Sequence, residues 1–518
     1  MLVGLIALCV YVATAGGSLS SSDGVMTYEV TKSIVTEGSV AASFDVFSWE
    51  PHRGVDGRFY SPFGIGQSIF NIPFYLVGRT ARQVLGITLG KPDSIEKAAV
   101  AMSSAVAAAG AVWVVFLFAF RISGQIGAAT LTALTLAFAT LLWPYAKFGF
   151  NAPLTAWCLT GGAYATWLGL RTEGNWEIEK SGNREIGTAP NFPITRLPNY
   201  QILWGGLWFA CAFLTRHEMA LAGVAALVWV NFESRGRPRV LLQRLAWLGT
   251  PLAVALGLWL WHNAARFGDP LNTGNAGDPV IRFDSPILAG MYGLLLSPGR
   301  SLFIYTPIAI AGLASLSELI RRDRSLTWFI TALLGTFLIL YAALPNWEGS
   351  RGYGPRYLVP LVPLMVLPLA CLYATARRWR RTVLLGLTGL SVAVQIPGVL
   401  VDFSKVSVAY GREMGVYDRQ ARLYTWPASG LALNIRAASV AVPENARYLL
   451  RGERPAVSQD APTDDRDFSQ QFAFSLDFWW LYLYYLGAIS ALVALAAGAL
   501  PLAVAAALAR TIVAEVRS

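Results

Sequence analysis

Charge is scarce in this chain: Asp, Glu, Lys and Arg together make up 14% of 518 residues, against 55% apolar residues and a mean hydropathy of +0.47. Soluble domains carry about 25% charged residues, so the composition excludes an ordinary soluble enzyme and makes the bilayer the chain's solvent. Histidine is scarcer still. Its three copies, His52, His217 and His262, are widely separated, which argues against a His-built metal centre. The four cysteines, Cys9, Cys158, Cys211 and Cys371, all fall in apolar runs where they cannot staple a loop, so no structural disulfide is expected. There is no GxxxxGK[ST] phosphate loop, no HExxH, no CxxC and no GxGxxG. Nucleotide hydrolysis and dinucleotide binding by a familiar pattern are therefore excluded, and an activated substrate must arrive by another route. A net charge of +10 suggests nucleic acid only if it gathers on one face of a soluble domain. Here the basic residues form short clusters between apolar runs, so no nucleic-acid partner is expected.

What is abundant is hydrophobic sequence. A spanning helix needs roughly 20 apolar residues, because backbone polar groups must be satisfied within the hydrocarbon. On that criterion the chain crosses the membrane about twelve times, from Leu2–Gly16 through runs such as Ala98–Phe120, Ile202–Leu214, Met219–Val230, Leu302–Leu316 and Leu358–Ala374 to Trp479–Leu508. The Lys/Arg bias of short loops sets the orientation. With the N-terminus inside, Glu233–Arg244, Arg321–Arg324, Arg377–Arg381 and the tail with Arg510 and Arg517 all become cytoplasmic. Ser18–Lys97, Asn263–Ser301, Pro345–Tyr357 and Asp402–Asp477 then lie outside. The expected class is an all-α polytopic protein of the cytoplasmic (inner) membrane, with both termini cytoplasmic and its polar chemistry extracytoplasmic. Leu2–Gly16 also admits a signal-peptide reading ending at Ala13-Thr14-Ala15, which leaves the remaining topology unchanged. Within the first outer loop, Ser68–Leu89 is apolar but interrupted by Pro73, Arg79 and Arg82, and reads as an interfacial helix. Residues 1–401 form the expected transmembrane module, with its first outer loop at 18–97. Residues 402–478 form a small extracytoplasmic cap, and 479–518 the last helix and tail.

Several outer-edge stretches carry candidate chemistry. Asp23 stands directly after the first span, ahead of a helical run from Val25 to Thr36. A carboxylate at the mouth of a helix bundle can take a proton from an acceptor hydroxyl. Asp is equally a favoured N-cap, and Ser20 to Asp23 has capping-box spacing. The triplet Arg216-His217-Glu218 interrupts two short apolar segments, where a charge at mid-bilayer depth costs about 2.5–3.5 kcal/mol. It forms either a tight turn in which Arg216 and Glu218 pair, or a polar group facing a cavity. GVDGRFYSPFGIGQ from Gly54, RFGDPLNTG from Arg266, LLLSPGRSLFIYTP from Leu294 and NWEGSRGYGPRYLVP from Asn346 each mix aromatics, glycines and single arginines. Arginine grips phosphate oxygens with a planar fork. Isolated aromatics also populate interfacial belts, and Arg351 and Arg356 also suit snorkelling to headgroups.

The order and placement of these motifs, over most of Ser18–Pro363, resembles the GT-C superfamily of membrane glycosyltransferases. That superfamily includes the dolichyl-phosphate-mannose protein mannosyltransferases and the bacterial lipid A aminoarabinose transferase. The resemblance implies an inverting transfer of sugar from a polyprenyl-phosphate donor to a glycan, lipid or protein acceptor at the outer face, among membrane lipids and with no nucleotide; Asp23 with Glu29 or Asp56 could hold a divalent metal, but carboxylates so scattered do not specify a site. It implies Asp23 as the catalytic base with Glu29 as understudy, and Arg216, His217, Arg300 and Arg356 on the donor phosphate. Asp56, Tyr60, Gln67, Trp347, Glu348, Arg351 and Tyr357 become the implied substrate-binding residues. The family often pairs two acidic residues in this loop, whereas here Gly24 follows Asp23, which makes Asp56 a candidate for the second. A transporter or flippase of lipid-linked glycans, or a non-catalytic scaffold of envelope assembly, suits the same helix-rich architecture.

Overall fold

The computed structural model describes residues 1–44, 52–85, 93–180, 200–275, 283, 285–350, 352–413, 419–454 and 476–517. Among these, six helices are long and apolar enough to cross a membrane: Ser94–Ser123, Pro238–Phe267, Arg324–Ala342, Arg356–Thr375, Arg378–Leu400 and Ala491–Val513. Shorter apolar helices at Leu2–Ala13, Ile126–Phe138, Tyr200–Thr215 and Ile287–Leu296 accompany them. The strands among the described residues are Ala41–Ala42 and Phe59–Tyr60, paired antiparallel with Ala41 opposite Tyr60. The protein is an all-α polytopic membrane protein.

Several expected spans are broken, two of them for a plain local reason. Leu302–Leu316 divides into Leu302–Tyr305 and Ile308–Ala314, because Pro307 lacks an N–H and disfavours helix in the residue before it. Trp479–Leu508 divides into Trp479–Tyr485 and a helix from Ala491 to Arg517. Gly487, at φ 81°, takes the left-handed conformation that ends the first of these. The apolar run read as an interfacial helix is helical over Ile65–Leu85, with Pro73 inside it, and its last residues, 86–89, lie outside the described residues. It buries Gln67, Ser68 and Asn71 and exposes Ile69, Leu76 and Val77. Such an apolar outer face suits lipid rather than water.

Two of the basic stretches, at Glu233 and at Arg321–Arg324, are tied to other helix ends. There Arg171 pairs with Asp323 at 2.6 Å and Glu233 at 3.4 Å, and Arg322 donates to the Ile122 carbonyl at 3.0 Å. Near the end of the first helix the two ends of the chain are tied together. Trp479 N–H donates to Ala15 O at 3.0 Å, and the Trp479 and Trp480 indoles donate to Val12 O and Ala13 O, both at 2.9 Å. Beside them a buried charge cluster joins four segments. Lys147 Nζ lies 3.1 Å from Asp477, while Lys405 Nζ lies 3.2 Å from Asp402 and 3.6 Å from Asp477. Ser20 donates to Asp402, so the cluster holds the residues just ahead of the helix that carries Asp23.

Candidate active site

Asp23 sits in the first turn of the helix Ser22–Glu37, whose N-cap is Ser21: its hydroxyl accepts from Gly24 N–H at 3.0 Å. Asp23 is therefore not the cap, and its carboxylate is released to point elsewhere. The positive end of the helix dipole favours a carboxylate in this turn. What it meets is Arg356, with Nη1 3.3 Å from Asp23 Oδ2 and each side chain 19% exposed. Arg356 opens the 3₁₀ segment Arg356–Leu361. The glycines before it explain how so large a side chain fits. A Cβ on Gly349 would lie 2.6 Å from Arg356 Cγ, and one on Gly352 would lie 2.6 Å from Tyr145 Oη and 3.1 Å from Arg356 Cβ. Gly349 and Gly352 thus let the backbone pass close against Arg356.

Arg216 enters from the turn between Tyr200–Thr215 and Ala220–Glu233. Gly64 and Gly66 let the turn dock, since a Cβ on either would come within 2.5 Å of Leu214 O or Thr215 Oγ1. Arg216 pairs with Glu218 at 2.6 Å, and Tyr341 donates to the same Glu218 oxygen at 3.2 Å. Burial is the largest influence on the Glu218 carboxyl and would raise it, but the Arg216 charge together with hydrogen bonds from the backbone and from Arg216 holds the group below its ordinary value. Tyr341 and Tyr357 stack with ring centres 5.2 Å apart. The Arg216 guanidinium lies 5.7 Å and that of Arg356 5.2 Å from the Tyr357 ring. The turn reading of the triplet fits the Arg216–Glu218 pair, which stands beside the Tyr341 and Tyr357 rings. Asp23, Arg356, Tyr357, Arg216 and Glu218 form one continuous series of contacts.

The other candidates stand outside that series. His217 packs against Trp259 and Phe213. Burial, aided by the charge of Arg266 and opposed by Glu218, pushes it down to about 4, so it presents a neutral imidazole rather than a cation at neutral pH. Glu29 is buried and accepts from Ser43 at 2.5 Å. Gln67 is buried, donating to Asn71 at 2.8 Å. Asp56 accepts from Tyr60 at 2.7 Å. Trp347 is buried with its ring against Gly293, and Glu348 is gripped by both arms of Arg419 at 2.8 Å. Arg300 donates to Ser350 O and is buried one loop away from Arg356. Arg351 lies outside the described residues. No group of three or more His, Cys, Asp or Glu among the described residues gathers to hold a metal ion.

Two features went unassigned in the sequence. Arg266 is buried, donating to Ser61 O at 2.6 Å and Asn263 Oδ1 at 2.7 Å, which ties RFGDPLNTG to the YSPFGIG segment. The buried cluster around Lys147 was signalled only by a lone charge inside the apolar run WPYAKFGF.

No protein-family model and no curated protein sequence matches this chain. Its likeness is structural. ArnT from Cupriavidus metallidurans, solved bound to undecaprenyl phosphate, superposes with a TM-score of 0.51 at 14% identity, over 92% of this chain and 84% of that one. The archaeal oligosaccharyltransferase AglB from Archaeoglobus fulgidus, solved with an inhibitory peptide and a dolichol-phosphate, gives a TM-score of 0.45 at 12% identity, over 83% of this chain and 60% of that one. The fold is shared with that of ArnT.

Proposed function

We propose that this chain is an inverting glycosyltransferase that moves a sugar from a polyprenyl-phosphate donor to an acceptor hydroxyl at the outer face of the cytoplasmic membrane. The observation that carries the reading is the Asp23–Arg356 ion pair, in contact through Tyr357 with Arg216. It supplies a carboxylate and two guanidiniums at one place, which are the groups this displacement needs. The fold shared with ArnT supports the same class. In the mechanism, Asp23 removes the proton from the acceptor hydroxyl as its oxygen attacks the anomeric carbon. The bond from that carbon to the phosphate oxygen breaks with its electrons, and polyprenyl phosphate leaves from the opposite face. Arg356 and Arg216 neutralise the charge that develops on the phosphate. Neutral His217 brings no charge to that task; it packs against Trp259.

The test is Asp23→Asn in the full-length protein, assayed by transfer of radiolabelled sugar from membrane lipid. Loss of a positioned base is expected to slow transfer about 100- to 10,000-fold with folding and insertion preserved. Undiminished transfer by a folded Asp23→Asn protein would overturn the assignment. Accumulation of lipid-linked sugar across a vesicle membrane with no new glycosidic bond would instead indicate a transporter.

A further inference from the structure

The helix Gly430–Arg451 has one side packed and one side uncovered. The packed side rests on two supports. Ala437 and Ala441 share a hydrophobic cluster with Val406 and Tyr410 of the helix Phe403–Glu413. Tyr448 and Leu449 pack on the cluster of Val399 and Ala494, which stand near the ends of the spans Arg378–Leu400 and Ala491–Val513. Tyr484, just ahead of the second of these spans, fixes the depth by donating to the Tyr448 and Glu453 carbonyls at 3.0 and 2.6 Å. The helix therefore lies where the apolar spans end, at the level at which hydrocarbon gives way to headgroups. It is on the side of Asp23, because Asp402, next to its supporting helix, accepts from Ser20.

The uncovered side is ordered into two stripes. Steps of seven, four and four residues place Ile435, Val442, Ala446 and Leu450 along one line of the helix, all exposed, Leu450 by 87%. Leu449 borders this line and packs on the span ends, so the line continues the lipid-facing surface of the bundle. Arg436, Arg447 and Arg451, all exposed, form the next line on the opposite border. The carboxylates beside them are Glu444, 2.9 Å from Arg447, and Glu453, 3.7 Å from Arg447 and 4.0 Å from Arg451. Exposed pairs of this kind are weak, so three arginines against two glutamates leave the line basic. Arg436 lies over the Tyr410 ring at 4.8 Å. An apolar stripe bordered by arginines fits an anionic lipid surface: the stripe enters the acyl boundary while the cations reach the headgroup phosphates.

We propose that Gly430–Arg451 is an interfacial helix docked on the bilayer leaflet of the Asp23 side, with Ile435, Val442, Ala446 and Leu450 among the acyl chains and Arg436, Arg447 and Arg451 on the phosphates of anionic phospholipids. Within the expected cap, this helix is then the part that meets the bilayer. The inference does not depend on sugar transfer, since it rests on the helix's two stripes and on its depth.

The test uses the full-length protein in phosphatidylcholine nanodiscs, with Val442 or Glu444 replaced by a genetically encoded fluorescent amino acid. The two positions are similarly exposed, Val442 by 45% and the Glu444 side chain by 40%, but stand on different faces of the helix. Phosphatidylcholine brominated in its acyl chains quenches only a probe that those chains touch. The probe at Val442 is expected to be quenched at least about threefold more than the one at Glu444. Brominated phosphatidylglycerol at the same mole fraction should quench Val442 more strongly still, with a relative binding constant about fivefold higher, the scale of one arginine at a charged surface. Arg436→Gln combined with Arg451→Gln should lose that preference and keep the quenching by brominated phosphatidylcholine. Equal quenching at Val442 and Glu444 would overturn the proposal and leave the stripe to a second copy of the chain or to another protein. Equal quenching of Val442 by the two brominated lipids would overturn it as well, as would a preference unchanged in the folded double variant. The first two comparisons need no arginine substitution, so they decide the matter even where the double variant does not fold.

Discussion

Lys147 and Asp477 lie 330 residues apart along the chain and meet at 3.1 Å with both side chains closed to solvent. The pair closes a ring of buried charges, since Tyr482 donates to Asp477 at 2.7 Å and Lys405 donates to Tyr482 at 2.9 Å. Lys147 also donates to the backbone carbonyls of Val399 and Asp477. Its place beside Ser18 and Ser20 makes the cluster the foundation on which the Asp23 helix starts.

Removing one member of a buried pair costs more than removing both, because a desolvated charge is left behind. Lys147→Met is therefore expected to destabilise the protein by about 3–5 kcal/mol, and Lys147→Met with Asp477→Asn by less, read from thermal unfolding in detergent. Acid adds a second readout. Burial pushes the Asp477 carboxyl up, but Lys147 and Lys405 outweigh it and hold it below its ordinary value. Its contribution is thus complete above the unfolded carboxylate pKa of about 3.9 and is lost as the pH falls through the lower folded value. Lys147→Met should flatten that acid limb; an unchanged limb would show that Lys147 is not what holds Asp477 ionised.

The membrane class was legible in the sequence, because it depends on local hydropathy. Helix breaks were less so. Pro307 and Gly487 both stood in view, yet a long apolar run conceals a turn when the flanking residues are equally greasy. In the site, Asp23, Arg216 and Arg356 were found as residue types at outer edges. Their convergence depends on a tertiary contact that no spacing encodes. The cap was misjudged by one residue: Ser21, not Ser20 or Asp23, accepts the helix N–H, which is what frees the Asp23 carboxylate. Trp347 and Glu348, which the family resemblance implied as substrate-binding groups, lie against Gly293 and in a pair with Arg419, contacts that no spacing in the sequence encodes.

His217 gives a prediction in a separate pH window. Its ordinary pKa of 6.5 falls to about 4 in the folded protein, chiefly because burial disfavours the cation. The folded state then binds the proton less well than the unfolded one. Stability from this residue is complete above about pH 6.5 and drains away as the pH falls toward 4. His217→Phe, which suits the neighbouring Phe213 and Trp259, should make the unfolding midpoint less sensitive to pH across that window. Parallel wild-type and variant profiles would refute the burial argument.

Gly352 tests whether the close passage of backbone against Arg356 matters for chemistry rather than for stability alone. Alanine there would press a methyl group to within 2.6 Å of Tyr145 Oη and 3.1 Å of Arg356 Cβ, so the arginine or the tyrosine must shift. Displacement of a positioned charge by about 1 Å costs up to about 100-fold in rate. Gly352→Ala should therefore slow sugar transfer by about 10- to 100-fold while the protein still inserts and purifies. Gly386→Ala is the matched control, because nothing lies within 4 Å of a Cβ built there, and it should transfer at the wild-type rate. Arg356→Lys separates shape from charge: it keeps the cation beside Asp23 but loses the planar fork, and it should fall between wild type and Arg356→Gln. Equal activity in Gly352→Ala and Gly386→Ala would mean that the glycine run accommodates the chain without positioning Arg356 against Asp23.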